Sequence, residues 1–94
     1  MWSAALAWQI KIGDAAKKEL TKLDKQVAKR ITTFLRERLA TLDNPRSIGD
    51  PLKGSKLGEF WKYRVGDYRI ICSIEDGTLQ ILVIKIGNRR EVYR

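Results

Sequence analysis

The chain has 94 residues, the size of one compact domain, expected to span 1–94, with no room for a second hydrophobic core. Hydrophobic residues make up 44% and charged residues 32%, a globular composition that excludes a disordered chain and a membrane-embedded one. Nineteen Lys and Arg against eleven Asp and Glu give a net charge of +8, which favours a polyanionic partner such as nucleic acid, an acidic protein being the alternative.

There is no histidine, so the usual general base, the usual zinc ligand and the Ser-His and Cys-His nucleophile pairs are all excluded. The single cysteine, Cys72, lies in an apolar run and has no internal disulfide partner. It fits a core position in a protein of the reducing cytosol, and the expected location is cytoplasmic. The opening "MWSAALAW" has neither the basic leader of a signal peptide nor the apolar length of a membrane span, and residues 1–6 read as an N-terminal extension.

In chain order, "AWQIKI" (7–12) alternates apolar and polar residues and predicts a first strand, closed by Gly13-Asp14, with Asp14 as a helix cap. Ala16, Leu20 and Leu23 then share one helical face. After Asp24 the stripe resumes as Val27, Ile31, Phe34, Leu35, Leu39 and Leu42, so two helices packed as a hairpin are predicted. Their opposite faces carry Lys18, Lys22, Lys25, Lys29 and Arg36, a pattern that serves either a solvated surface or contacts with a nucleic-acid backbone. "NPRSIGDPLKGSKLG" (44–58) has two prolines and three glycines and reads as a loop.

Beyond it, "EFWKYRV", "YRIICSIE" and "TLQILVIKI" predict three strands over 59–65, 68–75 and 78–86. They are joined at Gly66-Asp67 and Asp76-Gly77 into an antiparallel meander. Two-residue turns would set Val65 opposite Tyr68, Arg64 opposite Arg69, Lys62 opposite Ile71, Ile70 opposite Val83 and Arg69 opposite Ile84. One face then holds Trp61, Tyr63, Val65, Tyr68, Ile70, Cys72, Ile74, Leu79, Ile81 and Val83, and should form the core with the helices. The other mixes Phe60, Ile71, Leu82, Ile84 and Ile86 with Lys62, Arg64 and Arg69. Arginines set opposite one another repel unless they splay apart, meet a carboxylate such as Asp67 or Glu75, or share an anion. The terminal "GNRREVYR" reads as a turn at Gly87-Asn88, after which Arg89, Arg90, Tyr93 and Arg94 can fold back over the same end of the sheet. The fold class is α+β: an N-terminal strand and a two-helix hairpin packed on an antiparallel sheet.

The ordered set of Leu52-x-Gly54, R-x-G-D-Y-R (64–69) and terminal G-x-R…V-Y resembles the RelE/ParE superfamily of bacterial toxins from type II toxin-antitoxin pairs, over nearly the whole chain from residue 7. The resemblance implies a RelE-like fold and, for the RelE branch, a metal-independent endoribonuclease without cofactor that enters the ribosomal A site, cuts mRNA and inhibits translation. It implies attack of an RNA 2′-OH on the adjacent phosphate. By motif position Arg69 and Arg89 match the phosphate-binding arginines, with Arg89 also the proton donor. Tyr93 matches the tyrosine acting as general base, Lys62 a strand lysine and Arg64 a flanking basic residue. Nearby cations would favour the tyrosinate form of Tyr93. Two residues before Lys62, where RelE toxins carry a second lysine, this chain has Phe60, and Lys53 or Lys56 would supply the charge. Arg90, Lys18 and Lys22 complete the expected RNA-binding set.

The ParE branch shares the fold and implies a different activity, binding and poisoning of DNA gyrase without nuclease chemistry; a basic RNA-binding domain without catalysis is the third reading. The implied partners are an acidic cognate antitoxin, and ribosome and mRNA, with no membrane and no metal.

Overall fold

The computed structural model describes residues 8–52 and 60–88. Strand β1 (Gln9–Ile12) leads into helix α1 (Asp14–Lys22) and helix α2 (Lys25–Thr33), which continues as a wider π-helical segment, Phe34–Leu39. A single 3-10 turn (Pro45–Ile48) precedes strands β2 (Asp50–Pro51), β3 (Phe60–Val65), β4 (Tyr68–Glu75) and β5 (Gln80–Asn88). Gly13 occupies the α1 cap position, so Asp14 is the first helical residue and not the cap, placing its carboxylate at the positive end of the helix dipole. The Gly13 amide donates to Val83 O at 2.8 Å and closes β1 against β5.

The sheet has five strands in the order β1-β5-β4-β3-β2. β1 runs parallel to β5 and every other pair is antiparallel, so the sheet is mixed and not wholly antiparallel. The turn chemistry of the meander carries no information about the direction of β1, which is separated from β5 in the chain by the helices and by β2, β3 and β4. The segment predicted as loop contributes the 3-10 turn and the short edge strand β2, which pairs Asp50 with Lys62 and Pro51 with Trp61.

The first hairpin has the predicted register, with Arg64 opposite Arg69 and Val65 opposite Tyr68. Gly66 alone in its turn has positive φ (60°), as a type II′ turn with glycine at its first central position requires. The second hairpin does not match the prediction. Glu75 pairs with Gln80, leaving four residues in the turn, and the left-handed conformation falls on Leu79 (φ 51°) instead of Gly77. Ile84 is then an unpaired bulge residue between Val83, opposite Cys72, and Lys85, opposite Ile71. Together these shifts put Ile70 opposite Ile86 and Arg69 opposite Gly87. They also keep Gly87 and Asn88 in the strand, where a turn was predicted.

Past the bulge, the residues of β5 exchange faces. Ile86 turns inward and Lys85 turns outward. The core face therefore comprises Tyr63, Val65, Ile70, Cys72, Ile74, Ile81, Val83 and Ile86, packed with Trp8, Ala16, Ile31, Leu35 and Leu39. Ile31, Leu35 and Leu39 recur every four residues, a spacing that drifts around an ordinary α-helix, and the wider π-helical turn keeps them aligned on the sheet. Trp61 and Tyr68 are half-buried at the margin and Leu79 is exposed, so three expected core residues are peripheral. Leu79 is held in place by its carbonyl, which accepts from Gln9 N at 2.8 Å. Left-handed backbone costs an L-residue about 1–2 kcal/mol. Leu79→Gly is therefore expected to leave stability unchanged or raise it by up to about 1 kcal/mol in urea unfolding, because relief of the left-handed strain is offset by glycine's extra unfolded-state entropy. A clear loss would contradict this reading of the turn.

Candidate nucleic-acid interface

The helices cover one face of the sheet and leave the other to Lys11, Lys62, Arg64, Arg69, Lys85, Ile71 and Leu82. Alternation along β3 puts Lys62 and Arg64 on this face, and the short Gly66-Asp67 turn brings Arg69 back beside Arg64. Cross-strand rows therefore run Lys62-Ile71-Lys85 and Arg64-Arg69-Gly87. Asp50, opposite Lys62, and Glu75, at the far end of β4, are the acidic residues of these strand positions.

The opposed arginines resolve their repulsion by taking different environments. Arg69 is only 8% exposed, and its Nη1 donates to Gly66 O at 3.2 Å and Tyr68 O at 3.1 Å. Nη2 and Nε take no part in these two bonds, and Gly87, directly opposite on β5, has no side chain to occupy the adjoining space. Arg64 is exposed and turns towards the opposite margin of β3. The turn carbonyls, and not Asp67 or Glu75, hold Nη1 of the Arg69 guanidinium. A cation fixed in this way is a preorganised donor for an anion.

Arg30 was not among the residues expected here. A Cβ built on Gly66 would lie 3.3 Å from Arg30 Nη1, so this α2 guanidinium reaches the turn that joins β3 to β4. Its adjacency in sequence to the buried Ile31 marks it as a residue at the helix–sheet margin, which is the available sequence signal. Lys85 was missed because uninterrupted alternation would have pointed it into the core. A lysine at an inward position between two isoleucines is itself a sign that the strand contains a bulge.

Lys18 and Lys22 are exposed on α1, on the helical side, away from the Arg64-Arg69 row. Lys22 Nζ lies 3.8 Å from Glu19 Oε1, a surface pair between consecutive helical turns. Lys53, Lys56, Arg89, Arg90 and Tyr93 lie outside the described residues, as does the extension at 1–6.

Two other ionisable side chains are structural. Tyr63 Oη donates to Pro45 O at 2.8 Å, and burial pushes its phenol well above the ordinary range, so it remains a neutral donor. Burial likewise pushes up the Cys72 thiol, which is an inert core group. Arg46 Nη1 and Nη2 donate to the two carboxylate oxygens of Asp76 at 2.9 and 2.7 Å. That hydrogen-bonded pairing holds the Asp76 carboxyl below the usual carboxylate range and raises Arg46. Arg46 also lies 5.9 Å from the Trp61 ring centroid, covering an indole that sequence reasoning had placed fully inside. Among the described residues no helix is long and apolar enough to cross a membrane.

The sequence and the fold have counterparts in known proteins. Toxin RelE of Mycobacterium tuberculosis is 31% identical over 87 residues, covering 93% of this chain and 87% of that protein. The toxin-antitoxin complex RelBE2 of the same organism contains a chain with the same fold, at TM-score 0.80 and 21% identity, covering 92% of this chain and 95% of its own. The archaeal RelE-RelB complex from Pyrococcus horikoshii gives TM-score 0.72 at 28% identity, covering 90% and 98%. The family model for the ParE toxin of the type II toxin-antitoxin system parDE matches residues 10–93, from the first strand through the terminal Val-Tyr. With the sheet, the helical hairpin and the terminal motif all inside that match, the chain belongs to the ParE toxin family of type II toxin-antitoxin systems, in the RelE/ParE superfamily.

Proposed function

We propose that this toxin is a ribosome-dependent, metal-independent mRNA endoribonuclease of the RelE kind, acting in the cytoplasm as one domain and held silent by an acidic cognate antitoxin. The observation that carries the reading is the Arg69 guanidinium, anchored by the turn carbonyls beside Arg64 and Lys62 on the face that the helices leave uncovered. The strand opposite it ends at Asn88, paired with Tyr68, and the chain continues directly into Arg89, the second arginine of the motif. In this reading Arg69 and Arg89 bind the scissile phosphate as charge grows on it, Arg89 protonates the departing 5′ oxygen, and Tyr93 takes the proton of the attacking 2′-OH. Lys62, Lys53 and Lys56 add positive charge. Arg64 and Arg90 hold neighbouring phosphates.

The identity to a protein named Toxin RelE supports the nuclease branch. The matched family model, described for ParE, is the observation on the side of gyrase inhibition. Purified protein tested on mRNA-programmed ribosomes, and separately on gyrase supercoiling, distinguishes them. Codon-dependent cuts with unaffected supercoiling support the nuclease; inhibited supercoiling with intact mRNA supports the alternative. The relatives described as RelE-RelB complexes support an antitoxin partner here.

Lys18 and Lys22 are assigned to ribosome contact on the helical side. Lys18→Ala is expected to weaken association severalfold and to reduce the slope of log affinity against log salt by roughly 0.7–0.9, the contribution of one phosphate contact. Cleavage at saturating ribosomes should be unchanged. A variant that cuts more slowly once bound would contradict this assignment.

A further inference from the structure

At the margin of β3 lies an open groove of about 360 Å³, with Phe34 and Arg38 from the π-helical segment, Ser47, Gly49 and Asp50 from the 3-10 turn and its exit, and Arg64 from β3. It exists because β2 is only two residues long and pairs no further along β3 than Lys62, so among the described residues no strand neighbours the Tyr63–Val65 edge. Its walls are built. Gly49 lies so close to the Tyr63 ring that a Cβ there would come within 2.7 Å of Cε1. Tyr63 Oη donates to Pro45 O, Asn44 Oδ1 accepts from Arg46 N at 3.1 Å, and the bidentate ion pair between Arg46 and Asp76 ties the same turn to the β4–β5 hairpin.

The opposite wall is equally fixed. The Phe34 ring packs on Tyr63 at 6.0 Å between centroids, tilted by 54°. Arg38 comes four residues later in a helix widened to π geometry, which brings both side chains to the same groove; such widened turns are frequent at functional sites. Among the described residues neither Arg38 nor Arg64 has a carboxylate within ion-pair distance. The one acid of the groove, Asp50, stands opposite Lys62 in register. The groove thus offers two guanidinium groups and a hydroxyl beside an aromatic ring.

We infer that this groove is a second phosphate subsite, in which Arg38, Ser47 and Arg64 hold a backbone phosphate of single-stranded RNA next to the phosphate at Arg69. The inference rests on the nuclease reading for its ligand. Arg64 belongs both to the groove and to the Arg64-Arg69 row, so a chain with one charge per nucleotide engages both positions through a shared arginine. The half-buried Phe34 ring, lining the same groove as Arg38, provides the surface on which an unpaired base stacks, which an acidic peptide would leave unused.

The test uses Arg38→Gln, Arg38→Lys and Ser47→Ala with a short single-stranded RNA made uncleavable by a 2′-deoxy substitution. Each phosphate is replaced in turn by an uncharged methylphosphonate, and binding is read by fluorescence anisotropy. Arg38 is exposed, so folding is not at stake. Arg38→Gln is expected to weaken binding about tenfold, the scale of a hydrogen bond to a charged group. Arg38→Lys should recover part of the loss. One methylphosphonate position should weaken the wild type and have no further effect on Arg38→Gln. Unchanged binding by Arg38→Gln, identical methylphosphonate profiles for both proteins, or no RNA binding by the wild type overturns the subsite. So does an Arg38→Gln variant that loses affinity for an acidic antitoxin peptide while holding RNA normally. A wild type that cuts no mRNA yet shows the position-specific loss overturns the nuclease reading and leaves the subsite standing. Normal cutting with no dependence on Arg38 does the reverse.

Discussion

Arg69→Ala is expected to slow single-turnover mRNA cleavage by about a hundredfold or more, the loss associated with one preorganised donor at a developing charge. The reason lies in how the side chain is held. Both bonds to the turn use Nη1, so the guanidinium is oriented before substrate arrives. Arg69→Lys keeps the charge but loses the planar guanidinium, whose Nη2 and Nε take no part in the two turn bonds, so an intermediate loss is expected. Ribosome affinity should change far less than the rate, because many other cations contribute to association. Equal losses of rate and affinity would make Arg69 a binding residue only.

The largest effect on stability is expected one residue later and on the other face. Ile70 is fully buried, opposite Tyr63 on one side and Ile86 on the other, in the cluster that joins the sheet to Ile31, Leu35 and Leu39. Ile70→Ala should cost about 2–5 kcal/mol through lost apolar burial and the cavity it leaves. Against a total of roughly 5–15 kcal/mol for a domain of this kind, that is enough to lower the urea midpoint strongly. The neighbouring substitutions thus separate two roles: Arg69→Ala should lose chemistry with a modest change in stability, and Ile70→Ala the converse at temperatures where it remains folded. A cost below about 1 kcal/mol at Ile70 would mean that the face assignment of β4 is wrong.

The parts of the molecule that sequence pattern made legible are those with local rules. Gly66-Asp67 has glycine where a two-residue turn needs positive φ, so the register of β3 and β4, and with it the Arg64-Arg69 juxtaposition, came from counting. Asp76-Gly77 offered an equally familiar signal and misled, because β1 holds Leu79 in the left-handed conformation from outside the hairpin. The bulge at Ile84 depends on two strands at once, and its only trace was a lysine at an inward position. The π-helical widening at Phe34–Leu39 has the same character. Spacing alone identified the apolar stripe, but not that Phe34 and Arg38 would face the margin of β3. The contributions of Arg30 and Arg38 to the basic surface depend on that packing and on no motif.

In the proposed function the cationic face anchored by Arg69 cuts RNA. The most direct measurement is single-turnover cleavage of mRNA on saturating programmed ribosomes, comparing the wild type with Arg69→Ala and Tyr93→Phe. Codon-dependent cuts by the wild type without added metal are expected, with rates reduced by about a hundredfold in Arg69→Ala and by about 100–10,000-fold in Tyr93→Phe while both variants remain bound. A wild-type protein that leaves mRNA intact while inhibiting gyrase supercoiling, or variants that cut at the wild-type rate, would contradict it.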